Sequence, residues 1–511
     1  MPLERCAWLR AVASANPSSG TTWTTRRACP TQAFSTGCHS PPFWRPHSLP
    51  FSPISNLHPL PGSFLALQLP FVVLAALLPL VGYAVAWQTT GVRRHAWVAG
   101  LITLFSGLFF PYWTLPETFA PFALFGSLAL WLAGNWILDT RYWILDTRYW
   151  KLETGRWLLV GLLVGLAHLT RADGILLLPV VILALLARPL SCTTHHARRF
   201  VICHLSLFIV HCSLVILGYL LIMGPWFLRN MSVVGVPLSP AGTKTLWLRT
   251  YDDLFCYGCD LSLRSYLAWG WSEILQSKLW AAGVNLERFW AEDCLVFLLP
   301  FVLIGLYRLR RRPSFTLALI YSFLIYCLHS LAFTFPGPRG GFFHASVPAL
   351  PFLFVAAIVG LDAAVGWVVR WRHWNRRQAQ AVFATAAVVG AVALSGYAAA
   401  GKLSVWRDAD AAYREAGAWL DAHDVPDDTV IMVGNPPGFW YHTHRPAVVV
   451  PNGDVEALLA VADRYGVRYV LLDRNRPAPL AGLYAGEIPH PRLRTVAAWT
   501  DREVVLYVVG R

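Results

Sequence analysis

Four stretches hold residue types that could do chemistry. Glu117 stands in PYWTLPETFAPF between two apolar runs. It reads either as a solvated turn carboxylate or as a cleft carboxylate that deprotonates or orients an acceptor hydroxyl, or helps hold a cation. Arg171 and Asp173 stand in LTRADG. They can pair with each other, or Arg171 can hold a lipid phosphate, because its rigid donor fork matches phosphate oxygens. Asp252 and Asp253 lie between aromatics in LWLRTYDDLFCYG, which suits a sugar surface as well as an amphipathic helix lying on a membrane. Gly337, Gly340 and Gly341 shape FPGPRGGFFHASVPALPF around Arg339 and His344. A Gly-rich approach beside an Arg and a His is a reasonable phosphate site, and also a plain interfacial turn. Ionisable groups this close to apolar sequence are expensive and tend to face protein or water.

Other candidates are weaker. The ten Cys read as scattered; Cys256 and Cys259 are close, but nothing nearby completes a zinc set. His195, His196, His204 and His211 cluster in 191–214, yet the first two fall in a connector and the others at different depths of an apolar run. Asp454, Glu456 and Asp473 lie in the tail, Asp473 at a strand end, where chemistry often sits in α/β folds, but no glycine fingerprint precedes it.

The elements that must position these residues are apolar. Of 511 residues 56% are apolar and only 14% charged, against about 25% charged in a soluble domain. Apolar runs of bilayer length recur, near 62–86, 95–112, 118–134, 155–170, 172–187, 201–224, 293–309, 314–334, 345–369 and 379–400. They must be helices, because backbone polar groups cannot go unpaired in lipid. The net charge of +14 comes from connectors, so it reads as topology rather than nucleic-acid binding. Arg93 and Arg94 follow the first span; Arg141, Arg148 and Lys151 the third; Arg188, Arg198 and Arg199 the fifth; Arg308 and Arg310–Arg312 the seventh; Arg370, Arg372, Arg376 and Arg377 the ninth. Basic connectors favour the cytoplasm. One alternating topology therefore places 113–117, 171, the long loop 225–292, 335–344 and everything after 401 outside, in a multi-pass protein of the cytoplasmic (inner) membrane.

Residues 1–61 are rich in Pro, Ser, Thr and Arg, without an apolar signal core, as a misplaced start or a frameshift would produce. Residues 136–149 repeat the heptad WILDTRY, too little for a repeat architecture. After 405 the pattern becomes that of a small α/β domain, 405–511. An amphipathic helix ends at Pro426; strands follow at 429–434, within RPAVVVPNG, at 467–473 and at 503–509, with a helix over 454–466.

GRWLLVGLLVGLAHLTRADGILLLPVVILALLAR at 155–188, Glu117 before a span, YDDLF and PRGGFFHASVPALPF together resemble membrane glycosyltransferases of the C-type fold. That family includes protein O-mannosyltransferase-like enzymes and lipopolysaccharide-core and aminoarabinose transferases. The resemblance covers about 62–400; the tail resembles the extracytoplasmic domain of many bacterial members. It implies a polytopic α-helical membrane protein with a small C-terminal α/β domain. The implied reaction moves a sugar from a polyprenyl-phosphate donor to a glycan, lipid or protein acceptor outside the membrane. Glu117, Asp252 and Asp253 are then the catalytic candidates, and Arg339, His344 and Arg171 the lipid-phosphate ligands. No organic cofactor is implied, and some members involve a divalent cation. The family begins with a helix and an acidic catalytic loop, whereas residues 1–61 hold no Asp and only Glu4 as an acid. That helix and loop are therefore expected to be missing or replaced, which puts the activity of the chain as written in question. A transporter or flippase is the alternative, although no inverted repeat is visible; a nonenzymatic scaffold with an outer binding domain is the third reading.

Overall fold

The computed structural model describes residues 61–137, 147–186, 197–239 and 241–510. The N-terminal stretch to 60, most of the WILDTRY repeat, and His195 and His196 lie outside the described residues. The chain divides into two compact units. Leu60–Arg229 with Gln276–Ala400 forms a helical unit, and Asn230–Leu275 joins Gly401–Arg511 in the other.

Helices of eight residues or more are numbered in order. They are α1 Pro61–Thr90, α2 Arg93–Leu104, α3 Phe119–Ile137, α4 Thr147–Thr170, α5 Leu177–Leu186, α6 Ala197–Val234, α7 Trp271–Arg288, α8 Leu299–Leu309, α9 Pro313–Cys327, α10 Leu350–Arg372 and α11 Arg376–Ala422. Among the described residues, six helices are long and apolar enough to cross a membrane, and three more apolar helices are shorter. Of the ten expected spans, two are helical over less than was read, while 155–170 and 172–186 are apolar helices as short as expected. The run 95–112 stops at Leu104 and resumes as a 3₁₀ turn over Gly107–Tyr112, because Gly107 takes a positive φ of 63°. The run 293–309 becomes helical only at Leu299, after Leu295 and Val296 turn at positive φ. On α1, Leu65 is 67% exposed and Leu69 62%; side chains of this kind belong against lipid.

Inside the helical unit α10 is the central rod, with Phe352, Phe354, Val355 and Ala356 buried. Gly305 of α8 and Gly360 of α10 let the two backbones touch: a Cβ at either would collide with a carbonyl oxygen across the interface, of Ala356 and Phe301 respectively. Small residues allow such close approach where lipid supplies no hydrophobic drive between helices. At one end of the unit, Arg94 pairs with Asp362 and donates to the Gln380 carbonyl (3.0 Å), while His95 Nε2 lies 2.7 Å from Asp362 Oδ2. This ties the connector after the first span to α10 and to the start of α11. At the other end, the 113–118, 171–173 and 337–346 segments meet. These three are connectors that the alternating topology puts on one side.

The second unit holds α12 Pro436–Thr443, α13 Val455–Tyr465, and strands β1 Val430–Val433, β2 Ala447–Val449, β3 Val467–Leu472, β4 Leu493–Trp499 and β5 Val504–Val509. The sheet order is β2-β1-β3-β5-β4. β2, β1 and β3 are parallel; β5 pairs antiparallel with β3 and β4. The expected strands and the 454–466 helix are present. Asp454 serves as the helix cap, its Oδ1 accepting from Ala457 N (2.9 Å). β4 and α12 were not expected. β4 is an edge strand with only Leu493 buried, so it lacks a buried stripe. α12 starts where Pro436 and Pro437 read as a break, although Pro suits a helix's first turn. The boundary at 405 is not a break either, since α11 runs continuously from span to tail.

The long loop belongs partly to this unit. Asn452 N donates to Phe255 O (2.9 Å), Cys256 bridges to Asn452 as a parallel strand would, and Tyr257 packs on the sheet core. Cys256 and Cys259 form a disulfide. The cysteines are thus not all scattered: C-Y-G-C is a C-x-x-C spacing, and here it is oxidised. Replacing Gly360 by Ala is expected to destabilise the helical unit by about 1–3 kcal/mol. Thermal denaturation in detergent reads this as a lowered midpoint; an unchanged midpoint would refute the backbone contact.

Candidate functional site

The stretch 333–346 is a folded turn rather than a simple loop. Gly340 has φ 122°, a region L side chains rarely adopt. A Cβ on Gly341 would press on the Pro336 carbonyl and the His329 ring. The two glycines therefore let the chain double back, leaving Arg339 exposed, His344 half-buried, and Phe342, Phe343 and Ala345 buried.

Two segments grip this turn. From one side, the Phe119 ring stacks on His344 with centroids 4.0 Å apart, and Thr118 Oγ1 lies 3.4 Å from His344 Nδ1. Phe343 stacks on Phe109 at 4.3 Å and meets Tyr112 at 5.5 Å. Glu117 is the residue before Thr118, half-buried at the start of α3. From the other side, Arg171 is only 5% exposed. Its Nε contacts the Asp173 carboxylate and its Nη2 donates to the Gly341 carbonyl (3.1 Å). His329 Nε2 lies 3.5 Å from Asp173 Oδ1. Tyr321 OH donates to Ala345 O (2.8 Å), and Ser346 Oγ donates to the buried Asp293 Oδ1 (2.7 Å).

The six residues expected to carry chemistry divide. Glu117, Arg171, Arg339 and His344 belong to segments that meet around this turn. Arg171 is engaged by Asp173 and Gly341, so it supports the turn. Asp252 and Asp253 belong to the other unit. Asp253 there closes its own turn: Oδ2 accepts from Arg249 N (2.8 Å) and Thr250 N (3.0 Å), and Oδ1 from Thr250 Oγ1 (3.1 Å). Among the described residues no three His, Cys, Asp or Glu side chains gather as a metal site, and His211 is buried beside Trp157.

Sequence reasoning missed Glu292, Asp293 and His329. Tyr112 sits within electrostatic reach of Glu117, Glu292 and Arg288 together, and Arg288 Nη1 holds Glu292 Oε1 at 2.5 Å. The Arg288–Glu292 spacing of four on a helix was a usable signal. So was His329, an ionisable group inside an apolar span.

No family model matches the chain, and no curated protein matches it. Among solved structures it is similar to ArnT from Cupriavidus metallidurans bound to undecaprenyl phosphate, at 16% identity, covering 86% of this chain and 83% of that one with a TM-score of 0.47. It is also similar to the oligosaccharyltransferase AglB from Archaeoglobus fulgidus in complex with an inhibitory peptide and a dolichol-phosphate (16% identity, 80% of this chain, TM-score 0.40). A third is the arabinofuranosyltransferase AftD from Mycobacteria (13% identity, 88% of this chain, TM-score 0.43). The chain spans 58% of the length of that oligosaccharyltransferase and 35% of that of AftD. All three are C-type fold membrane glycosyltransferases, the kind of enzyme the sequence resembles.

Proposed function

We propose that the chain is a glycosyltransferase that moves a sugar from a polyprenyl-phosphate donor to an acceptor on the extracytoplasmic side of the membrane. The observation that carries this reading is the glycine-shaped turn. It presents exposed Arg339 beside half-buried His344, and the segment bearing Glu117 is bound to the same turn.

In this reading the Arg339 guanidinium takes the donor phosphate, matching its oxygens with a planar fork of donors. His344 supports the same phosphate from a ring fixed by Phe119. The acceptor oxygen bonds to the sugar's anomeric carbon while the bond from that carbon to the phosphate oxygen breaks. The departing phosphate carries away the electron pair, and Arg339 offsets its charge. Glu117 accepts the proton of the acceptor hydroxyl. Arg171, Asp173 and His329 act as positioning residues: their ion pair fixes the Gly341 carbonyl and with it the direction of Arg339.

The Cys256–Cys259 disulfide supports an outward placement of the C-terminal unit, since disulfides persist in oxidising compartments. An alkaline phosphatase fused after Arg511 is expected to be active in intact cells, and a cytosolic reporter fused there to be silent; the reverse pattern would refute the orientation.

The central test follows labelled sugar from a panel of polyprenyl-phosphate donors into membrane acceptors, using the full chain in proteoliposomes. Product from at least one donor is expected, and none across the panel sinks the proposal. Arg339→Ala should lower kcat/KM for the donor about 10–100-fold, the loss of a charge-assisted hydrogen bond, with an unchanged melting midpoint; unaltered donor kinetics would remove the phosphate role. Glu117→Gln should lower kcat about 10²–10⁴-fold with little change in donor KM. A Gln variant as fast as the wild type would take the base role from Glu117.

A further inference from the structure

The C-terminal sheet contains a topological switch. The chain steps from β1 to β2 on one side, then crosses β1 to reach β3 on the other. The packing follows this reversal. The end of α11 and Phe439 of α12 cover the face of Ile431 and Val433, while α13 covers the face of Met432 and Val470. In open α/β sheets, ligands bind outside the carboxyl ends of the strands at such a point. Here β1 delivers Gly434 and Asn435, β3 delivers Asp473, and the turn after β3 brings Arg476.

The groups at this mouth have unused hydrogen-bonding capacity. Asp473 Oδ1 accepts from Asn475 N (2.8 Å). Among the described residues no donor reaches Oδ2, which faces Gly434; a Cβ on that glycine would lie 3.1 Å away. A side chain at this position would crowd the Asp473 carboxyl. Burial pushes the Asp473 carboxyl above the usual carboxylate range, opposed by the Asn475 N–H and the Arg476 charge. Asn435 Oδ1 accepts from Gly438 N (3.3 Å), so its Nδ2 remains a donor. Arg476 lies 3.6 Å over the Tyr484 ring, with Nη1 donating to the Asp473 carbonyl (3.3 Å).

The start of α12 decides which ligand fits. A helix following the first strand usually offers free N–H groups to phosphate. Here its first two residues are Pro436 and Pro437, which have no N–H, and the next N–H, of Gly438, is taken by Asn435. An anion would find no free backbone N–H at this helix start and a carboxyl group opposite. A neutral polyol meets the reverse: a carboxyl oxygen to accept from hydroxyls, with amide and guanidinium donors beside it.

We propose that this crevice binds a saccharide through a vicinal diol held by Asp473, with Asn435 and Arg476 donating to neighbouring oxygens. Only the identification of this saccharide as the acceptor rests on the transferase reading.

Saturation-transfer NMR on the full chain, in a detergent without a sugar headgroup, tests the site with methyl α-mannoside, methyl β-galactoside and methyl α-glucoside. The wild type should transfer saturation to at least one of them. Asp473→Asn keeps an oxygen for the Asn475 turn while replacing the acceptor at Oδ2, and should weaken binding about tenfold. Gly434→Ala should weaken it by narrowing the mouth, and Arg476→Ala by removing a donor. No saturation transfer in the wild type, or undiminished transfer in those variants that fold, overturns the site. No donor is present in this experiment. A chain that transfers sugar yet binds no glycoside defeats this site alone; one that binds glycoside yet transfers nothing defeats only the transferase reading.

Discussion

The ion pair between Arg171 and Asp173 is the constraint on which the turn depends. Both side chains are largely out of solvent, with His329 against the same carboxylate. Removing two charges from water is unfavourable unless geometry and further hydrogen bonds compensate. Here Asp173 answers one edge of the guanidinium and the Gly341 carbonyl another. Breaking one member leaves an uncompensated buried charge, at a cost of about 3–5 kcal/mol. The pair therefore ties the connector after α4 to the glycine-rich turn before α10.

That tie explains why both sides of the turn carry unusual residues. Gly341 must lack a side chain because Pro336 and His329 occupy the space, and Gly340 must take a conformation other residues resist. With the backbone so bent, the next residues fall into place. Phe343 enters the cluster of Phe109, Tyr112 and Phe119, and His344 lies against Phe119. Aromatic stacking of this sort adds about 0.5–1.5 kcal/mol beyond burial, and it fixes a ring that would otherwise rotate. Within 333–346, Arg339 is the one exposed residue.

Much of this was legible in the sequence, and the failures have physical causes. The apolar runs marked the helices because lipid demands them, but run length overstated two, since Gly107 and the Leu295–Val296 turn interrupt helices without interrupting hydropathy. Arg339, His344 and Glu117 stood out because they interrupt apolar sequence at polar connectors. The role of Arg171 could not be read from LTRADG, because the Gly341 carbonyl it holds is 170 residues away. Asp253 was misleading for a local reason: Asp closes turns as readily as it takes protons, and only its hydrogen bonds tell these uses apart. The disulfide is legible as the C-Y-G-C spacing, which a pattern of zinc ligands does not capture.

The tail shows the same division between pattern and chemistry. Alternation and caps predict β1, β3 and α13, but the character of the sheet's carboxyl end depends on two residues that hydropathy does not weigh. Pro436 and Pro437 begin α12 while removing the donors that would make its start an anion site. Asp473, facing Gly434, then sets the polarity of the mouth as an acceptor. In the helical unit the exposed group is a guanidinium; at the sheet it is a carboxyl oxygen. The two sites thus call for opposite partners, a phosphate at one and hydroxyls at the other. In the proposed reading, a transfer from a lipid phosphate to a hydroxyl-bearing acceptor uses recognition of both kinds, the phosphate assigned to the Arg339 turn and the hydroxyls to the sheet.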